Sequence, residues 1–300
     1  MQLSMNWPNV TKTLDAQPTW IIGFATKLGA TVSGQTMLTV LQDGANYQAD
    51  LRWNPDGTLT VTRNGTAVLG GTSTSILTTN IWYYIEFKCT ISTSIPANSW
   101  QVRVNGQQFI NVASGQSSQV TANATANTVR IGGNMATSAF NAWFDDLYMC
   151  DGNGTVNNNF LGEVKIVASL PNAAGSNTQW GALSGPNYTN VNQQTPDDDT
   201  SYVISGNPGQ LDTYAIAGIT DTPTNIVGVQ TGLYARKDDA ATRTLAKVIR
   251  SGGINFAGAN NNMTNSYAFY LDINETNPAT GLPWTKAGLN GAEFGVQEIA

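Results

Sequence analysis

Apolar residues recur at every second position through most of the first half of this chain, the period of a strand with one buried face. Thr19–Leu28 shows it through Trp20, Ile22 and Phe24, and it returns at 37–41, 47–53, Thr58–Arg63, 66–69 and 81–91. Asn54-Pro55-Asp56-Gly57 and Asn64-Gly65 punctuate the runs with residues that favour turns. The clearest hairpin joins Trp100–Val104 to 107–112 through Asn105-Gly106, because Asn-Gly accepts positive φ at both central positions of a tight turn. Segments 128–133 and 143–149 complete the series. Short strands at regular turn spacing predict a β-sandwich.

After Cys150 the pattern stops. Asp151-Gly152-Asn153-Gly154 and Asn157-Asn158-Asn159 offer nothing to bury, which places a linker here and divides the chain into 1–158 and 159–300. Strands are predicted again at 162–168, 211–217, 224–236, 267–272 and 292–297. The stretch 239–250 reads two ways, since Leu245, Val248 and Ile249 also fall at helical spacing. No clean cap precedes it and its neighbours are strands, so a strand pairing back on 229–236 across Asp238-Asp239 is preferred. The predicted fold class is all-β, with two β-sandwich domains.

Composition sharpens this picture. Charged residues are only 11% of the 300, and Asn, Thr, Ser, Gln and Gly supply the polarity, as on a rigid exterior surface. A net charge of −6 without a Lys/Arg run argues against nucleic acid as a partner. Histidine is absent, which excludes Ser-His-Asp and Cys-His nucleophiles and most transition-metal ligand sets. Residues 1–8 lack the pattern of a secretory signal, and no apolar run is long enough to cross a membrane. Both cysteines, Cys89 and Cys150, fall in predicted strands of one sandwich, and two separate thiols are favoured over a disulfide.

Two resemblances follow from the residues. The run Trp82-x-x-Ile85-Glu86-Phe87-Lys88, the Val104-Asn105-Gly106 hairpin and the closing Phe144-Asp145-Asp146-Leu147-Tyr148 occur in the order found in concanavalin A-like (laminin-G-like) jelly rolls. The first half resembles that family, except that little room precedes Trp20 for its opening strand. In the second half, Ser169-Leu170-Pro171-Asn172, Gln179-Trp180, Pro196-Asp197-Asp198-Asp199, Tyr234-Ala235-Arg236-Lys237-Asp238-Asp239, Arg250-Ser251-Gly252-Gly253 and Asn277-Pro278-Ala279-Thr280-Gly281 resemble segments of tailed-bacteriophage structural proteins. That resemblance implies a virion component: a non-enzymatic structural protein used in head decoration, a head fibre or a tail attachment. Other virion proteins, and further copies of the chain in a trimer or ring, are its expected partners. The alternatives are an adhesin recognising host surface polysaccharide and, further off, a glycoside hydrolase.

Candidate sites are few. Asp145 and Asp146 are neighbours on a strand, so they point to opposite faces and cannot clamp one atom, whereas a hydrolase needs two carboxyls facing one cleft. Calcium suits flexible oxygen-rich loops, and Asp197-Asp198-Asp199 and Asp151-x-Asn153-x-Thr155 have the composition. The second lacks the acidic residue at its twelfth position, which is Gly162, and no cofactor is assigned. Trp7, Trp53, Trp82, Trp100, Trp143, Trp180 and Trp284 could stack on sugars, but burial is the usual role of a strand aromatic. Trp284, beside the Pro-Gly-rich loop 277–283, is the expected exposed contact residue.

Overall fold

A computed structural model describes residues 2–4, 9–30, 33–133 and 141–300, in two compact units, 1–166 and 167–300. The first unit contains β1 (Gln2–Ser4), β2 (Asn9–Gln17), β3 (Thr19–Leu28), β4 (Thr36–Asp43), β5 (Asn46–Trp53) and β6 (Thr58–Arg63). It continues with β7 (Thr66–Ile76), β8 (Tyr83–Thr90), β9 (Trp100–Val104), β10 (Gln107–Asn111), β11 (Ala126–Gly132) and β12 (Asn141–Asp151). These form two six-stranded sheets, β1-β12-β3-β8-β9-β10 and β2-β11-β4-β5-β6-β7. The opening strand that the jelly-roll resemblance left no room for is therefore present, as β1 on β12 and β2 on β11.

The alternation in the sequence is realised in the packing. Trp20, Ile22 and Phe24 of β3, Ile85 and Phe87 of β8, and Trp100 and Val102 of β9 meet Leu51 and Trp53 of β5 and Leu59 and Val61 of β6 in one buried core. The Asn105-Gly106 hairpin is present, with both residues at positive φ (48° and 76°).

A bulge resets β12. Asp146 takes φ 50°, and the register against β3 slips between Asp145 and Tyr148. An extra residue in one strand turns the side chains after it. Phe144 before the bulge and Leu147 and Met149 after it all serve the core, while Tyr148 lies outside on Gly23.

The segment expected to link the domains belongs to the first unit. No strand forms at 162–168; instead 159–166 straps the outer face of the first sheet. Phe160 lies under the Arg103 guanidinium, 4.1 Å from ring centre. Gly162 N donates to Glu86 Oε1 at 2.8 Å, Leu161 N to the Tyr148 hydroxyl at 3.2 Å, and Ile166 N to Asp146 Oδ1 at 2.8 Å. The boundary therefore falls at 166/167, eight residues beyond the expected 158/159. It was hidden from sequence because backbone amides make most of these contacts.

The second unit contains β13 (Pro171–Thr178), β14 (Gly181–Ala182), β15 (Val203–Ile204), β16 (Leu211–Ile216), β17 (Val229–Ala235), β18 (Thr244–Ser251), β19 (Ile254–Asn262), β20 (Ala268–Asn274) and β21 (Glu293–Glu298). A short helix, α1 (Lys286–Asn290), is capped by the Thr285 hydroxyl, which accepts from Gly288 N at 3.0 Å. The main sheet has the order β13-β16-β21-β18-β19, β17 and β20 form a separate ribbon, and β14 pairs with β15. Leu233, Ala235 and Tyr270 of the ribbon pack on Leu245 of β18 and Val296 of β21, giving two layers. The ambiguous stretch is a strand, as preferred, but its partners are β19 and β21 rather than β17. The β17 strand pairs with β20, more than thirty residues on. Among the described residues, no helix is long and apolar enough to cross a membrane.

Candidate functional site

The outer face of the first sheet is half covered. At its covered end, Tyr148 lies on Gly23, where even a methyl group would meet the ring at 2.0 Å. The Tyr148 hydroxyl donates to Glu86 Oε1 at 2.6 Å, and the strap completes the enclosure. Burial, reinforced by the Glu86 carboxylate, drives the Tyr148 phenol far above its ordinary pKa, so it stays a donor. Glu86, the acidic residue of the resemblance motif, is thus a structural acceptor closed off from solvent.

The other end of this face is open, and three side chains meet there. Trp143 of β12 and Lys27 of β3 are cross-strand partners, and Trp82 stands immediately before β8. The Lys27 ammonium sits 4.5 Å from the Trp143 ring centre and 5.4 Å from that of Trp82. Two indoles hold a cation here by attraction to their π faces, about 0.5–1 kcal/mol each at an exposed site. Lys27 forms no ion pair with a described residue, and Trp82 is 46% exposed. Asp145 is exposed beyond Trp143 on the same strand. An aromatic surface flanked by an ammonium and a carboxylate can stack on an apolar ring face and hydrogen-bond its substituents.

The sequence-predicted residues are placed as follows. Trp284 is not a contact residue: it is 3% exposed, packs with Ile249, Leu289 and Ala292, and its Nε1 donates to Asn274 O at 2.9 Å. The loop before it folds back through Asn277 N to Leu282 O, 2.8 Å, and plugs the indole into the unit. Trp53 and Trp100 are buried, Trp143 and Trp180 are half-buried, and Trp7 lies outside the described residues. Trp82 is one of the tryptophans the sequence offers for stacking, whereas Lys27 is not anticipated by it. Its signal was a lone cation on the outward phase of an apolar strand.

Asp145 and Asp146 do not converge on one atom. Asp145 Oδ1 accepts from Asp146 N at 3.0 Å, and Asp146 Oδ1 holds the strap. Asp197, Asp198 and Asp199 have three separate sets of partners. Asp197 accepts from Ser201, Asp198 from the Tyr234 hydroxyl, and Asp199 from Arg236 and the Tyr267 hydroxyl. Those bonds hold the Asp199 carboxyl below its ordinary pKa, Arg236 contributing most. Asp151 Oδ1 accepts from Asn153 N in a local turn. Among the described residues, no group of three or more Cys, Asp or Glu could hold a metal ion. Cys89 and Cys150 are both thiols, outside any disulfide, and burial pushes that of Cys89 up.

A second polar cluster lies on the outer face of the other sheet. Arg52 Nε donates to the buried Asp50 at 2.6 Å, Thr62 donates to the same carboxylate at 2.7 Å, and Arg52 Nη1 reaches Gln35 at 3.0 Å. These groups satisfy one another, which makes the cluster a brace rather than a site.

No family model and no curated protein matches the chain. Among solved structures, a sialidase is similar over 50% of this chain and 15% of its own, at 14% identity and a TM-score of 0.37. Alginate lyase AlgAT5, of polysaccharide lyase family 7, is similar over 48% of this chain and 62% of its own, at 11% identity and a TM-score of 0.33. A tetrameric galectin from the ball sponge Cinachyrella sp. is similar over 47% of this chain and 99% of its own, at 12% identity and a TM-score of 0.32. The chain spans less than two thirds of the sialidase and of the lyase. These are likenesses of fold.

Proposed function

We propose that this chain is a non-enzymatic exterior component of a tailed-bacteriophage particle, and that its first sandwich attaches the particle to a saccharide surface. The observation that carries the attachment reading is the Trp82–Lys27–Trp143 platform, an exposed indole presented on a rigid sheet beside a cation that no described residue pairs in a salt bridge. Indole faces stack on the C–H face of a sugar ring, and Lys27 and Asp145 can bond its hydroxyls. The virion setting is supported by the second-half segments that resemble phage structural proteins. A rigid sandwich with variable loops suits attachment without chemistry.

The test is a glycan array probed with the full chain, alongside Trp82→Ala and Lys27→Met. Binding that falls at least tenfold in both variants, with unchanged circular dichroism, supports attachment through this platform. Binding untouched by either substitution, or no binding to any glycan, overturns it. Mass spectrometry of purified particles tests the setting separately, and absence of the chain from virions refutes that part.

A further inference from the structure

The ribbon of the second unit carries an apolar face that the unit itself does not cover. Alternation along β20 sends Tyr270 inward against Leu245 and Val296 and sends Phe269, Leu271 and Ile273 outward. Those three are 64%, 48% and 63% exposed. Tyr234 of β17 extends the face, with its ring 4.6 Å from Phe269 and stacked 5.0 Å from Tyr267. Asp198, Asp199 and Arg236 hold the two tyrosine hydroxyls and the Tyr267 ring at one end, which fixes this aromatic corner. The β17 and β20 strands pair with each other and with no other described strand.

We propose that this face is the contact between two copies of the chain, related by a two-fold axis through Leu271. The stripe is self-complementary: a two-fold through its middle residue sets Phe269 of one copy against Ile273 of the other. Such a contact is isologous and closes on itself. The backbone leaves space for it, because the residue opposite Leu271 on β17 is the exposed Gly232, and the Leu271 side chain leans over it at 3.4 Å from where a methyl group would be. That notch lets two ribbons stack face to face without side chains colliding on the axis.

The area is sufficient for the apolar centre of a dimer. Taking about 200 Å² for each fully exposed side chain, the stripe presents roughly 350 Å² per copy. A standard interface buries about 800 Å² per partner, of which somewhat more than half is apolar, or roughly 450 Å². Tyr234 and Tyr267 supply most of the remainder.

Sedimentation velocity of the full chain between about 1 and 100 μM, a range that spans association energies of roughly 5–8 kcal/mol, tests the inference. The wild type is expected to shift from monomer to dimer, and Leu271→Lys to stay monomeric with unchanged circular dichroism and thermal unfolding. Ile273→Lys is the second variant should the first fail to fold. Leu271→Cys is expected to be joined to its copy by a bis-maleimide that spans about 10 Å, the separation of sheets stacked face to face, since the axis sets the two copies of this position opposite each other, whereas Gln230→Cys is not. A wild type monomeric throughout, or a dimer that survives both lysine substitutions, overturns the proposal. None of these variants touches Trp82 or Lys27, so the outcome is independent of saccharide binding.

Discussion

Asp272→Ala should destabilise the second unit by several times the cost of an ordinary surface truncation, because of what it leaves behind. Lys247 lies on β18 between the two layers of the unit, with a side chain only 3% exposed, and its Nζ reaches Asp272 Oδ2 at 3.3 Å. Among the described residues neither atom has a further hydrogen-bond partner. Removing one member of a buried pair typically costs about 3–5 kcal/mol, because the remaining charge is left without compensation. Asp272 is 21% exposed, so water can reach its position, and the expected cost is the lower end, about 3 kcal/mol. At one decade per about 1.4 kcal/mol, the amides of β18 should open roughly a hundredfold more often. Native-state hydrogen exchange over Leu245, Ala246, Val248 and Ile249 reads that change locally, within a two-unit chain whose global unfolding need not be two-state. The double variant Lys247→Met/Asp272→Leu removes both charges and keeps the volume, so exchange should return to near the wild-type rate or below it. An Asp272→Ala effect under about 1 kcal/mol, or a double variant no better protected than the single one, refutes the reasoning.

Three further outcomes follow from packing and titration. Trp284→Ala should cost about 3–5 kcal/mol by urea unfolding, as for a buried indole, while Trp82→Ala should stay within about 0.5 kcal/mol. Equal costs would contradict their placement. Gly23→Ala should displace the Tyr148 ring, weaken its bond to Glu86 and cost about 1–3 kcal/mol, seen as faster exchange at Leu161 and Gly162 N–H. Glu293 should lend stability at neutral pH that disappears in acid. Burial alone would raise its pKa, but bonds from Ser176 and Thr213 and the charge of Arg250 outweigh this and lower it. A carboxyl depressed on folding stabilises above its unfolded pKa, about 4.5 for a glutamate, and loses that contribution as pH falls through the folded value. Urea midpoints should therefore fall less between pH 6 and pH 3 in Glu293→Gln than in the wild type, the window lying about the ordinary carboxylate range; parallel slopes would count against it.

How far the structure was legible in the sequence depends on how local its cause was. The Asn105-Gly106 hairpin and the buried phase of Trp20, Ile22 and Phe24 were readable because each rests on turn chemistry or on the two-residue period. The pairing of β18 was not, because alternation along a strand does not say which of β17, β19 and β21 lies beside it, and only the closure of the whole sheet selects two of them. Trp284 misled for a related reason. Proline and glycine around it signal a turn, but a turn's direction is not encoded in its composition, and this one folds inward. The strap at 159–166 left little trace, since Ile166 acts through an N–H that any residue other than proline would supply, and Gly162, at φ 80°, marks only a turn and not the Glu86 carboxylate its N–H meets. Lys27 is the opposite case. A cation on the outward phase of an apolar strand with aromatic neighbours needs something to balance its charge, and Trp143 follows from the pairing register once β12 is set beside β3. A candidate site of this kind becomes visible when strand pairing is known, even before any side chain is placed, because cross-strand neighbours on one face are within reach of each other. The outward phase of Phe269, Leu271 and Ile273 obeys the same logic: alternation marks one side of β20 as buried, and the apolar residues on the other side then call for a partner outside the unit.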